Sequence, residues 1–188
     1  MNSKVIIWLD LETTGLIPES DVILEVGIII TDWNLKELGR QSWVINQSDE
    51  NLEKMVPYVT KMHTDNKLIG EVKSSKQTQR NTEIDIVYFL IPYVEKSTRF
   101  VVGGNSVAFD RRFIEINMKV LDNFLHHRVI DMTTIGLLAE RWTPAKHKEV
   151  RGSIGSDCPN HRAINDIESC LKHAQQFKQY LFIDHSSE

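Results

Sequence analysis

The sequence predicts an α/β domain on a mixed five-stranded sheet, antiparallel in its first half, parallel in its second, and flanked by helices. Three observations predict it. The chain opens with apolar, β-branched runs separated by turn residues; short apolar runs then alternate with helix-period segments; and a long amphipathic helix closes it. Its 188 residues, 41% hydrophobic and 26% charged, suit one compact domain spanning 1–188, with a core that needs neither disulfides nor a structural metal.

Val5–Leu9 is a continuous apolar stretch, as in a central strand buried on both faces. Val22–Thr31 is a second, β-branched run interrupted by Glu25. Asp32-Trp33-Asn34 supplies a turn, and Gln41–Ile45 pairs back as a third strand, completing an antiparallel meander. Residues 48–80 are polar, with one or two short helices punctuated by Pro57 and Gly70. From Glu83 to Val94, the apolar positions Ile84, Val87, Tyr88, Ile91 and Val94 fall at helical spacing, with Pro92 tightening or ending the helix. Phe100-Val101-Val102 reads as a short strand closed by Gly103-Gly104, and a helix runs from near Phe109 past Met118. Val129-Ile130-Asp131 makes a fifth strand and Thr133–Trp142 another helix. Residues 143–160 lack periodicity and read as a mobile loop. The last helix, Ala163–Leu181, is amphipathic through Ile164, Ile167, Leu171, Ala174, Phe177 and Leu181. Trp8 and Trp43 are expected in the core.

The two cysteines, Cys158 and Cys170, have no Cys-x-x-Cys partner, which argues against a zinc ribbon or a disulfide framework and for a reducing compartment. The apolar run after Met1-Asn2-Ser3-Lys4 is too short for a signal peptide or a membrane span. The expectation is a soluble cytoplasmic protein without a membrane partner, or a mitochondrial one if a presequence was removed. The net charge of −4 argues against a broad basic footprint for nucleic acid. A nuclease remains compatible with it, because divalent cations held by clustered carboxylates supply positive charge locally.

The chemistry-bearing residues fall in three groups. On a strand Asp10 and Glu12 point to one face and Leu11 to the other, so two carboxylates sit side by side where a buried strand ends. Such a pair needs raised pKa values or a cation, and hard oxygen donors suit Mg²⁺ or Mn²⁺. Taken alone, Asp10 and Glu12 fit a solvated acidic strand end better than a metal site. Asp110 follows Gly103-Gly104-Asn105-Ser106 near a helix start, where the dipole favours an anion, and a plain helix N-terminal acid also fits. His161 and Asp166 are five residues apart, a rotation that leaves them about 140° apart on an α-helix. They can meet only if His161 sits on the loop before the helix and folds back; a capping role also fits that histidine. Together, four carboxylates suit two-metal phosphodiester hydrolysis, with ions about 4 Å apart. Histidine, with an unperturbed pKa of about 6.5, suits the deprotonation of water.

Asp10-x-Glu12-Thr13-Thr14-Gly15-Leu16, Asn105-Ser106-x₃-Asp110 and His161-x₄-Asp166 resemble the three motifs of DEDDh-class 3′→5′ exonucleases. The similarity is closer still to the oligoribonuclease family, through Asp110-Arg111-Arg112-Phe113, His127-Arg128-Val129-Ile130-Asp131, Arg141-Trp142-x-Pro144 and His161–Ile167, and it covers nearly the whole chain. The resemblance implies a ribonuclease H-like fold and a homodimer that cuts very short single-stranded RNA, dinucleotides in particular, to 5′-mononucleotides. It implies that Asp10, Glu12, Asp110 and Asp166 hold two divalent ions per site, Mg²⁺ or Mn²⁺, and that His161 is the general base. It further implies that Leu16 wedges between two bases, that His63, Ser106, Arg128 and Thr133 grip the 5′ end and phosphate, and that Arg128 reaches across the dimer interface. Two positions depart from the pattern. Tyr58 stands where bacterial relatives carry tryptophan, and His127 where the family usually has tyrosine. Both can still stack on a base or hydrogen-bond to it.

Several features stay open at this level. Lys73, Lys76 and Arg80 fit RNA steering or a solvated face; Arg111-Arg112 fit phosphate contact or helix-surface pairing; Glu25 fits support of a metal site or a strand edge; Trp142 fits a dimer interface. The rival functions are another DEDDh exonuclease acting on longer RNA or single-stranded DNA, and a non-catalytic nucleic-acid-binding scaffold.

Overall fold

The computed structural model describes residues 4–94, 99–154 and 160–181. Among them, five strands form one sheet in the order β3-β2-β1-β4-β5: β1 (Val5–Thr13), β2 (Ile23–Asp32), β3 (Glu37–Val44), β4 (Phe100–Gly104) and β5 (Leu125–Asp131). β1 pairs antiparallel with β2 and β2 with β3, whereas β4 runs parallel to both β1 and β5. This is the mixed sheet that the sequence predicts. β3 begins at Glu37 rather than Gln41. Its first residues are largely exposed on this outer strand, so the added length pairs through backbone alone and carries no hydrophobic pattern. The preceding turn is held by Asp32, whose carboxylate accepts from Asn34 N–H at 2.8 Å and Lys36 N–H at 2.9 Å.

Alternation along β1 sends Ile7, Leu9 and Leu11 to one face and Ile6 and Trp8 to the other. The first face is covered by α4 (Gln79–Leu90), α5 (Ala108–Asn117) and α6 (Lys119–Asp122), which bury Ile86, Leu90, Phe113, Ile114 and Leu121, and by Met118 between the last two. The second is covered by α7 (Met132–Trp142), α8 (Pro144–Ile154) and α9 (Ala163–Leu181), which bury Met132, Ala139, Val150, Ile167, Cys170 and Phe177. Each fully buried Leu, Ile or Phe contributes roughly 1.5–3 kcal/mol. Three short helices, α1 (Asp49–Glu53), α2 (Pro57–Asp65) and α3 (Leu68–Ser74), close a third cluster of Leu52, Met55, Leu68 and Val72 over Leu24. Trp8 and Trp43 are core residues, as expected.

Other sequence expectations change too: three short helices stand where one or two were expected, β5 begins at Leu125 rather than Val129, and the helix near Phe109 ends at Asn117 rather than past Met118. Residues 143–160 are not simply a loop: Pro144–Ile154 is helical, and 155–159 lie outside the described residues, together with Cys158. Pro144 at the first turn has its φ preset for a helix, and Ala145 to Glu149 are helix-compatible. Val150 is buried against α7 and α9, while the described side chains around it are exposed or half-buried, so no apolar period shows in the sequence. The buried stripe of α4 is Thr82, Ile86 and Leu90, whereas Ile84, Tyr88 and Ile91 are exposed. That helix starts earlier than the apolar spacing suggests, because the Thr78 side chain caps it by accepting from Asn81 N–H. Pro92 falls in the 3₁₀ turn Ile91–Tyr93 that ends it.

Candidate active site

The site forms where β1 outruns β4. Their pairing runs from Ile6↔Val101 to Trp8↔Gly103 and stops, while β1 continues against β2 to Thr13. The N–H of Leu11 donates instead to Asp110 Oδ1 at 2.9 Å, which fixes the first turn of α5 against the end of β1. Gly103 and Gly104 belong to β4 and serve close approach. A Cβ at Gly103 would lie 2.8 Å from the Trp8 ring, and one at Gly104 would lie 2.8 Å from the Leu9 carbonyl oxygen.

Asp10 stands opposite Gly27 and Glu12 opposite Glu25 across the β1–β2 ladder. A Cβ at Gly27 would lie 2.8 Å from Ala163 Cβ, so glycine there lets the N-terminus of α9 settle directly on the sheet. That approach brings Asp166, in the first turn of α9, to the face carrying Asp10 and Glu12. His161 precedes the helix with a left-handed φ of 52°, off the helix as the spacing argument requires. Ligand atoms of Glu12, His161 and Asp166 all lie within 4.8 Å of one another.

Electrostatics mark the cluster as unfinished without a cation. Burial, and then the charges of Asp110, Glu12 and Asp166, hold the Asp10 carboxyl well above its ordinary range. Burial pushes Glu12 up to about 8, with Asp166 and Glu25 adding to it and Arg162 opposing. Asp110 rises to about 7 through burial, against the hydrogen bond from Leu11 N–H. Asp166 rises to about 6 through burial, with His161 opposing. Asp166 Oδ1 is buried and has no hydrogen-bond partner among the described residues. Crowded carboxylates with a spare buried oxygen fit a hard divalent cation, which replaces proton binding by metal binding.

Around this cluster, Leu16 is 78% exposed in the loop after β1. Asp21 braces that loop by accepting from Ile17 N–H at 2.8 Å and from the Thr14 hydroxyl at 3.3 Å. Tyr58 is 71% exposed on α2, whereas His63, on the same helix, is fully buried. The His63 Nε2 lies 3.2 Å from the Thr13 carbonyl oxygen and 3.8 Å from Glu12 Oε2, and burial lowers its pKa. Its ring therefore faces the backbone and a site carboxylate rather than open surface. Ser106 and Thr133 come together: Ser106 N–H donates to Asp131 Oδ1 and Thr133 Oγ1, both at 3.0 Å, and the two hydroxyls are 3.1 Å apart. His127 and Arg128 lie exposed on β5, the outer strand, and His127 stacks near His126 at 4.2 Å between ring centroids. Arg111 pairs with Asp122 at 2.6 Å and Lys73 with Asp49 at 2.6 Å, so both have partners within the chain. Trp142 is exposed on α7.

Sequence reasoning missed Gly27, Arg162 and Asn66. The signals were a glycine inside a β-branched strand and an arginine next to the candidate base; nothing in the sequence marks Asn66. Glu25 is buried and bonded to Arg162, which settles it as a support of this site rather than a strand edge.

Comparison with known proteins agrees with this geometry. The exonuclease family RNase_T matches residues 7–173. The oligoribonuclease of Pseudomonas fluorescens is 35% identical over 180 residues, covering 95% of this chain and 97% of that protein. That of Haemophilus influenzae is 37% identical over 176 residues, 93% of each chain. Among solved structures, E. coli exonuclease I in complex with a 5cy-dT13 oligonucleotide superposes with a TM-score of 0.71 at 14% identity, covering 96% of this chain and 42% of that one. Exonuclease I from Methylocaldum szegediense gives 0.73 at 14%, covering 94% and 41%. The chain spans about two fifths of those larger proteins, and at such identity the likeness shows the ribonuclease H-like fold alone. With its fold, its carboxylate–histidine cluster and its relatives in agreement, the chain belongs to the RNase_T exonuclease family and, within it, to the oligoribonucleases.

Proposed function

We propose that this protein is a 3′→5′ exoribonuclease that hydrolyses very short single-stranded RNA, dinucleotides in particular, to 5′-mononucleotides. The observation that carries the reading is the buried cluster of Asp10, Glu12, Asp110 and Asp166 with raised proton affinity, set beside His161. The four carboxylates would hold two divalent ions, Mg²⁺ or Mn²⁺. When bound, these supply charge for the attacking water and the leaving oxygen. His161 takes the proton of the water as its oxygen bonds to phosphorus; the P–O3′ bond breaks, and the freed 3′-oxygen is protonated.

Leu16, presented on the braced loop, wedges between two bases, and Tyr58 stacks on one of them. The Ser106 and Thr133 hydroxyls hold the phosphate at the substrate's 5′ end. His63, expected at the substrate's 5′ end, is fully buried with Nε2 3.8 Å from Glu12 Oε2 and takes a supporting place behind that carboxylate instead. In a homodimer, His127 and Arg128 of a second copy close over the 5′ end and limit substrate length. Trp142 on α7, and Leu138 one turn before it, offer exposed apolar surface for that contact. Among the described residues no helix is long and apolar enough to cross a membrane, and we place the enzyme in the cytoplasm.

A time course on 5′-labelled RNAs of graded length, with Mg²⁺ and with chelator, tests the reading. Fastest turnover on dinucleotides supports it. Equal rates at all lengths would replace the short-RNA assignment with a general exonuclease, and tight RNA binding without metal-dependent cleavage would replace it with a scaffold.

A further inference from the structure

We propose that Arg162, held between Glu25 and Glu71, and Asn66 form a clamp that sets the position of His161. The inference rests on the reading of His161 as the base, and it concerns positioning residues rather than groups that touch substrate.

His161 lies between Asn160 and the helix that begins at Ala163, with φ at 52°. A non-glycine residue in the left-handed region costs roughly 1–2 kcal/mol and persists only where its surroundings enforce it. The structure supplies that enforcement from both sides. On one side, Asn66, the residue that ends α2, donates through Nδ2 to the His161 carbonyl at 2.5 Å and to the Asn160 carbonyl at 3.4 Å. Its own Oδ1 is fixed by Leu68 N–H at 3.0 Å, so the amide cannot swing away without losing a second bond.

On the other side, the guanidinium of Arg162 engages two carboxylates at once. It reaches Glu25 through Nε at 3.0 Å and Nη2 at 3.2 Å. It reaches Glu71, on α3, through Nη1 at 3.0 Å and Nη2 at 2.7 Å. Glu25 is 2% exposed and stands opposite Glu12 in the β1–β2 register. It also accepts from Ala163 N–H at 3.2 Å and from the Ser42 hydroxyl at 2.8 Å. One buried carboxylate thus ties the start of α9, the outer strand β3 and Arg162 to the strand that faces the catalytic acids. A planar fork of donors can span both carboxylates, whereas the ammonium of a lysine cannot make the same paired bonds.

The consequence is geometric. With the residues on both sides of its side chain fixed, the imidazole stays within reach of Glu12 and Asp166, where the attacking water is expected. Freeing the clamp lets the ring wander, and small displacements of a proton acceptor reduce turnover strongly. Leu16, Ser106 and Thr133 lie on other elements, and Tyr58 sits at the opposite end of α2 from Asn66, so KM should change little.

The test is a double-mutant cycle on dinucleotide cleavage, with Tm measured on every variant. We expect Arg162→Ala to lower kcat about 10- to 100-fold with KM near the parent value, and Arg162→Lys to recover little of that loss. In a His161→Ala background the further change Arg162→Ala should have almost no effect, because both act through one imidazole. Asn66→Ala leaves the Glu25–Arg162 pair in place and serves if Arg162→Ala does not fold. It should lower kcat in the parent and have no effect beside His161→Ala. Full additivity in the cycle, or parent-level kcat in both Arg162→Ala and Asn66→Ala, overturns the clamp. A slow His161→Ala enzyme beside fast Arg162→Ala and Asn66→Ala enzymes overturns the clamp and spares the base, whereas a fast His161→Ala enzyme removes both.

Discussion

Raising the pH in the absence of metal should weaken this fold, and divalent cation should reverse the effect. Glu12 is 6% exposed, and burial raises its pKa from 4.5 to about 8 in the folded chain. Below about pH 4.5 the carboxyl is protonated in folded and unfolded chains alike and contributes no difference. Between 4.5 and 8 the folded chain holds a proton that the unfolded chain releases, so stability falls as pH rises. By about pH 8, Glu12 alone costs the folded state on the order of 4 kcal/mol. Asp110 and Asp166, raised to about 7 and about 6, act in the same direction but share the same mutual repulsion, so their costs do not add in full. For a chain of this size the Glu12 term alone lowers Tm by about 10 °C between pH 5 and pH 8. The assay is thermal unfolding of chelator-treated protein across that range, repeated with saturating Mn²⁺. Metal should raise Tm most at the alkaline end, and Glu12→Gln should flatten the metal-free pH slope. A metal-free Tm that is level or rises with pH, or an unchanged slope in Glu12→Gln, would refute the reasoning.

Three further outcomes follow from the geometry. Asp166→Asn should lower kcat by a factor of at least about 100 while the protein stays folded, since it removes a carboxylate charge at near-constant volume; steady-state kinetics beside circular dichroism decide it. Gly27→Ala places a Cβ 2.8 Å from Ala163 and should push the start of α9 off the sheet, costing about 1–3 kcal/mol in chemical denaturation and slowing turnover together. Leu16→Ala, at a 78% exposed position, should leave Tm unchanged and raise KM for a dinucleotide, which separates substrate contact from structure.

The antiparallel meander, the parallel second half of the sheet and the closing helix were legible in apolar runs, turn residues and helical period: Val5–Leu9 is buried on both faces, and Ala163–Leu181 has its predicted bounds. α8 was not legible, because among its described residues only Val150 is buried and a single anchor leaves no period. The exposed face of α4 misled for the opposite reason: Ile84, Tyr88 and Ile91 are apolar at helical spacing yet face outward, while the buried stripe begins with a threonine.

The five residues proposed for catalysis were singled out by identity and spacing together, and the structure brings them into one cluster. The rotation between His161 and Asp166 already required the histidine to leave the helix, and its φ of 52° shows how it does so. What brings the groups together was hidden. The Leu11–Asp110 bond spans 99 positions, and the bond from Arg162 to Glu25 spans 137. Local patterns carry no information over such separations, and only the fold brings those partners into contact. The burial of His63 was equally invisible, since a histidine on a short polar helix gives no sign that its ring turns inward toward Glu12.

Asp10, Glu12, Asp110 and Asp166 are proposed to hold divalent metal for His161-assisted cleavage of short RNA. The most direct measurement is dinucleotide hydrolysis followed during a Mn²⁺ titration of metal-free protein, with bound Mn²⁺ counted in parallel. Turnover should be absent in chelator and appear as two ions bind per chain, with both binding and turnover lost in Asp10→Ala. Undiminished hydrolysis in chelator, or parent-level Mn²⁺ binding and turnover in Asp10→Ala, would contradict it.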